Sequence, residues 1–140
     1  MRRSVLVTAG ALACLAVPAM ASPAAADTVV ADDCSTTGVY GTFTANIVSS
    51  TKIDPLGMRV LDTAADGHHV AIRLVTTEND GDVVPWSWHR YYGGNGGEDS
   101  WFTYASSSAG IAKVRIQAGV FEGTTLLRLC SSPLKDNPYS

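Results

Sequence analysis

The stretch HVAIRLVT, residues 69–76, is the feature that most constrains this chain. Val70, Ile72 and Leu74 alternate there with Ala71 and Arg73. A side-chain period of two belongs to an extended strand with one face in a core. The alternation returns in KVRIQAGV, residues 113–120, where Val114, Ile116 and Ala118 alternate with Lys113, Arg115 and Gln117. Nowhere after residue 26 do apolar residues sustain a helical period. Strand-length runs recur instead at 39–48, 57–61, 69–76, 83–92, 100–105, 113–120 and 125–130. Between them stand turn residues: Asp54-Pro55, Asp66-Gly67, Asn79-Asp80-Gly81-Asp82, the glycines of 93–97, 106–110 and Glu122-Gly123. Seven short strands about ten residues apart predict an all-β fold, an antiparallel β-sandwich. The last ten residues, 131–140, read as loop.

The first 26 residues read as an export signal rather than as part of that fold. Arg2 and Arg3 precede the apolar run 5–17, which is too short to span a bilayer, and small residues follow. Small-x-small sites end at Ala21 and Ala26; cleavage after Ala26 leaves one secreted β domain, residues 27–140. Two cysteines then remain, Cys34 and Cys130, and an even pair in an exported small domain predicts a disulfide. Closing a loop of roughly 100 residues stabilises by about 4–5 kcal/mol on the chain-entropy account.

Without Arg2 and Arg3, eight Lys and Arg face 13 acids, a balance of −5 with His neutral. No basic cluster survives along the sequence. Nucleic-acid affinity rests on neutralising phosphates, so neither a nucleic acid nor, after signal cleavage, a membrane is expected as partner.

Catalytic signatures are equally sparse. Ser49-Ser50-Thr51-Lys52 matches Ser-x-x-Lys but falls between two strands, where no helical turn brings the amine onto the hydroxyl. His68 and His69 are adjacent, so on a strand they point to opposite faces and cannot chelate together. Glu78, Glu98 and Glu122 stand at separate turns, and the acidic turn 78–82 lacks the distal Glu of a calcium loop. The glycine loop (Gly93, Gly94, Asn95, Gly96, Gly97) does not spell a phosphate cradle. No catalytic residue, metal or cofactor is expected.

The remaining candidate is PWSWHRYYGGNGGEDSWFTY, residues 85–104. A hairpin closing around 93–97 would set Tyr92 opposite Glu98, Trp88 opposite Phe102 and His89 opposite Trp101. One face then carries Trp86, Trp88, Phe102 and Tyr104 as core. The other carries Ser87, His89, Tyr91, Asp99, Trp101 and Thr103, and His89, Tyr91 and Trp101 are its candidate ligand-binding residues. A slip of one residue moves Trp101 to the first face, and Pro85 marks an edge strand or a bulge. Rings at a core margin would look the same from sequence, so both readings stand.

The segments VAIRLVTT, WSWH and AGIAKVRIQAGVF, with the Arg-Arg and Ala-rich signal, resemble small exported proteins of actinobacteria. That resemblance implies no activity and carries over no functional residue. Three functional expectations follow. The first is a non-enzymatic secreted protein binding an extracellular glycan or protein through the aromatic hairpin. The second is a proteinaceous inhibitor or toxin acting through the loop Gly93 to Gly97. The third is a small secreted hydrolase without a recognisable motif.

Overall fold

The computed structural model describes residues 26–140, and the expected export segment lies, Ala26 apart, outside them. Ten antiparallel strands make up the fold: β1 (Thr28–Thr36), β2 (Val39–Ser49), β3 (Lys52–Asp62), β4 (His69–Glu78), β5 (Val83–Pro85), β6 (His89–Tyr91), β7 (Glu98–Ser106), β8 (Ile111–Glu122), β9 (Thr125–Ser131) and β10 (Lys135–Asp136). One sheet has the order β1-β2-β3-β7. In the other, β4 pairs with β8 on one side and with β5 and β6 in succession on the other. Strand β8 in turn carries β9 and β10 along its far edge. Among the described residues no helix is long and apolar enough to cross a membrane.

Rows of period two supply the core between the sheets, on β4 and β8 as the sequence predicts. Val39, Phe43, Ala45 and Ile47 of β2, with Ile53, Leu56, Met58 and Val60 of β3, form one wall. Val70, Ile72 and Leu74 of β4, with Val114, Ile116, Ala118 and Val120 of β8, form the other. The expected turn at Asp54-Pro55 lies inside β3, where the ladder to β2 carries the chain through it, and two strands lie outside the expected runs altogether. β1 carries Asp32 and Asp33 in its middle, so its alternation is masked; the full ladder to β2 holds it in place. β10 adds only two residues to the edge of β8, with Lys113 Nζ donating to Asp136 Oδ1 at 2.9 Å.

Cys34 and Cys130 form the expected disulfide, with Cα atoms 5.8 Å apart and a sequence separation of 96. The register explains why the sheets can be tied there. Cys34 pairs with Gly41 and Cys130 with Ala118, and a Cβ on Gly41 would lie 2.7 Å from the Ala118 Cβ. Small residues let the sheets approach, and the disulfide closes the seam between the edge strands β1 and β9. Lys135 Nζ to Asp32 Oδ2, 2.6 Å, closes the same seam. The opposite seam, between β7 and the β5–β6 edge, holds no such covalent tie. It is filled by rings from residues 86–104.

Candidate functional site: a crossover that serves both sheets

Residues 83–106 do not form the expected hairpin. β5 and β6 pair with β4, whereas β7 pairs with β3 in the other sheet, and 93–97 crosses between them. Periodicity reports which residues share a face and is silent on which strand is the partner. The free edge of β3 takes β7, since β3 is otherwise paired only with β2.

The glycines of the crossover have a specific cause. A Cβ on Gly93 or Gly97 would stand 2.0 or 1.8 Å from the Tyr91 hydroxyl, so the phenol occupies the space that side chains would need. Gly94 and Gly96 have φ of 87° and 79°, open to glycine at little strain. The loop is also pinned. Gly96 N–H donates to the Asp62 carbonyl at 2.8 Å and Asp62 N–H to that of Gly97 at 3.0 Å.

A bulge then separates the tryptophans. Val75 pairs with Pro85 and Ile72 with His89, so residues 73 and 74 face the three residues 86–88. The extra residue sits beside Pro85, where a ladder hydrogen bond is lost in any case. Trp86 consequently turns inward, packing on the core and donating Nε1–H to Thr76 Oγ1 at 3.1 Å. Trp88 turns outward against Phe121, with centroids 5.0 Å apart. The expectation that both share a core face is overturned by this one residue.

The β7 assignments reverse as well. β7 belongs to the four-stranded sheet, and there Trp101 and Ala105 face inward while Phe102 is 83% and Tyr104 60% exposed. Phe102 and Tyr104 are therefore surface residues, not core. The ring of Phe102 lies across Gly57, the residue it pairs with, and a Cβ there would be 3.2 Å from Cε1. Shallow hollows flank the ring. Thr42, Thr44, Arg59 and Ser100 line one; Val29, Asn46 and Pro55 line the other with Thr44. Arg59 is paired with Glu98, and the Asn46 amide donates to Asp27 Oδ2 and the Asp54 carbonyl at 3.0 and 3.1 Å.

His89 and Trp101 do meet, across the seam between sheets rather than across a hairpin, with ring centroids 5.2 Å apart. They stand beside a cleft of about 100 Å³ whose wall includes Trp86, His89, Thr103 and Tyr104. Burial pushes the pKa of His89 below its ordinary value. Tyr91 is half-buried against the core with its hydroxyl in the glycine loop, so it stands apart from that pair.

The outer face of the six-stranded sheet carries a second cluster that sequence reasoning missed. Tyr92 stacks on His69 at 4.4 Å, His69 on Phe121 at 5.6 Å, and Arg73 and Arg90 lie over Trp88 and Phe121 at 4.4 and 4.3 Å. Gly119 was the available signal. A glycine inside a strand often marks a close approach, and a Cβ here would meet Leu126 at 2.7 Å and the Phe121 ring at 3.1 Å.

Several other titratable groups have structural partners. His68 lies between Asp66 and Glu122, 3.2 Å from each, and Asp66 first, then Glu122, raises its pKa. Glu78 accepts from the Ser107 hydroxyl and Glu98 pairs with Arg59. Among the described residues no group of three or more His, Cys, Asp or Glu is arranged to hold a metal ion. Comparison of the chain with protein-family models, with curated proteins and with solved structures gave no match.

Proposed function

We propose that this chain is an exported, non-enzymatic binding protein that takes an extracellular glycan on the outer face of its four-stranded sheet. One observation carries the reading: Phe102 lies beside Gly57 with 83% of its surface bare, between two hollows. Fully burying such a side chain stabilises by about 1.5–3 kcal/mol, and the fold forgoes most of that here. Contiguous apolar patches rimmed by polar groups mark interaction surfaces, and here Val29 lines one hollow with Phe102 while Tyr104 follows it on the same face of β7. A sugar ring offers C–H groups to an aromatic face and hydroxyls to its surroundings. Thr42, Thr44 and Ser100 supply matching hydroxyl groups at the rims.

Tyr104 extends this surface around β7 to the seam, where His89 and Trp101 form the adjoining wall with Tyr91 behind them. In this reading Phe102 and Tyr104 make the contact, His89 and Trp101 border it at the seam, and Tyr91 fixes the crossover instead. Export fits the Cys34–Cys130 disulfide, which persists in an oxidising compartment. The pinned crossover gives little support to an inhibitor or toxin that inserts a flexible loop.

A second reading is favoured by the position of β7 at the edge of its sheet: a protein partner could add a strand there. Pull-down on a panel of insoluble cell-wall polysaccharides separates the two. The glycan reading expects capture that Phe102→Ala weakens about tenfold or more, with the melting temperature nearly unchanged. Absence of capture, or undiminished capture by the variant, would sink it. Strand addition predicts a protein ligand whose binding survives Phe102→Ala and is lost when Pro replaces a residue with an outward N–H on β7.

A further inference from the structure

The eight cationic side chains of the described residues divide sharply. Lys52, Arg59, Lys113, Arg128 and Lys135 each pair with a carboxylate: Asp54, Glu98, Asp136, Asp66 and Asp32 respectively. Arg73, Arg90 and Arg115 have no carboxylate within 4 Å, and all three project from the outer face of the six-stranded sheet. In a domain with eight cations and 13 acids, that segregation runs against the overall charge.

The registers align the three. Arg90 pairs with Ala71, Arg73 with Gln117, and Val75 with Arg115. Arg73 is thus the diagonal neighbour of Arg90 on one side and of Arg115 on the other. Diagonal neighbours on one sheet face lie roughly 7–8 Å apart. Sequence hid this row, because residues 73, 90 and 115 sit on three strands.

The guanidiniums of Arg73 and Arg90 are held but not consumed. Arg73 donates Nε–H and Nη2–H to Gln117 Oε1 at 2.9 and 2.7 Å, leaving Nη1 uncommitted while its plane rests over Trp88. Arg90 donates Nη1–H to His69 Nε2 at 2.7 Å and rests over Phe121, leaving Nε and Nη2. Burial, then the Arg90 charge, lowers the pKa of His69, which suits a neutral ring accepting that bond. Arg115 Nε is shielded from solvent and has no protein partner. Guanidiniums stacked on rings have already lost much of their rotamer freedom, so less is lost when a ligand arrives.

We infer that this diagonal is a binding site for the oxyanions of an extracellular polymer bearing carboxylate or phosphate groups at repeated positions. Planar guanidinium forks match both groups, and no carboxylate of the protein takes their place. The site is on the opposite face from Phe102 and does not depend on the glycan reading.

Calorimetric titration of the purified mature protein with an oligogalacturonate, a linear polyphosphate and an uncharged maltooligosaccharide tests it. At least one charged probe should bind, more tightly at low salt, and Arg73→Gln should weaken it about tenfold or more. Arg115→Gln, which disturbs no ring stack seen here, should weaken it about threefold at unchanged melting temperature, which separates binding from folding. Binding of the oligogalacturonate alone assigns carboxylate, binding of the polyphosphate alone assigns phosphate, and binding of both supports a shared oxyanion site. The inference is overturned if neither charged probe binds, if the uncharged probe binds equally well through the same arginines, or if both variants bind like the parent. A short single-stranded oligonucleotide binding more tightly than either charged probe would also overturn it, in favour of nucleic acid.

Discussion

Phe102 and Phe121 occupy comparable positions on the two outer faces of the sandwich, and their fates differ. Each lies beside a strand glycine, Gly57 or Gly119. Phe121 is 2% exposed, roofed by Arg90, His69, Trp88 and Leu126; Phe102 is 83% exposed, with nothing above it. One outer face has therefore built itself a small second core, and its guanidiniums are the roof. The other presents a ring that the fold does not use. The proposed ligand site lies on the face whose ring contributes least to stability.

The largest expected effect comes from removing the roofed ring. Phe121→Ala should destabilise by about 3 kcal/mol or more, as buried Phe truncations do. It should also loosen Arg90. Chemical denaturation measures the first, and a loss below about 1 kcal/mol would mean the second core is loosely packed.

The glycines sharpen the contrast. Gly119→Ala forces a methyl to within 2.7 Å of Leu126 and 3.2 Å of the Arg128 carbonyl, so it should destabilise by about 1–3 kcal/mol. Gly57→Ala meets only the free Phe102 ring at 3.2 Å, which can swing aside. That substitution should be neutral or stabilise by about 0.4–1 kcal/mol. Equal penalties at the two sites would erase the distinction between the faces.

Acid should separate them too. The pKa of His69 is depressed from 6.5, first by burial and then by Arg90 and His68. Its contribution to stability is present above 6.5 and is lost as pH falls below it, because the unfolded chain takes up the proton first. His89 at the seam acts in the same sense. His68, raised by Asp66 and Glu122, acts oppositely: its contribution is full below 6.5 and fades as pH rises through the higher folded value. Melting curves between pH 5 and 8 should show His69→Phe, which retains a stacking ring, losing less stability on acidification than the parent. A variant with the parent's full acid sensitivity would remove His69 from the account.

The smallest expected effect on folding is at Phe102 itself. Phe102→Ala should change stability by no more than about 0.5–1 kcal/mol, since the ring covers Gly57 and little else. A larger loss would give the bare ring a structural role and weaken the case for a ligand.

How much of this was legible in the sequence follows from what a period of two can encode. It reports which residues share a face, so the buried rows of β4 and β8 were readable, and the cysteine pair needed only the reading of export; Ile53 and Leu56 of β3 were hidden, because Asp54-Pro55 reads as a turn. It does not name a strand's partner. The crossover of β7 to the edge of β3 therefore escaped notice, and with it the exposure of Phe102 and Tyr104. It also assumes an unbroken ladder, which the extra residue at 86–88 violates; Pro85 hinted at this but did not say which tryptophan would turn out. His89 and Trp101 were paired for the wrong reason and still meet, because the seam brings β6 beside β7. The arginine diagonal was beyond reach, since it exists only once β4, β6 and β8 are side by side.

The central claim is that Phe102 is kept for a ligand. The most direct measurement is affinity for captured cell-wall polysaccharide, comparing the parent with Phe102→Ala and with melting temperature recorded for both. The account predicts a loss of about tenfold or more in affinity beside a nearly unchanged melting temperature. Equal affinity in the two proteins would contradict it.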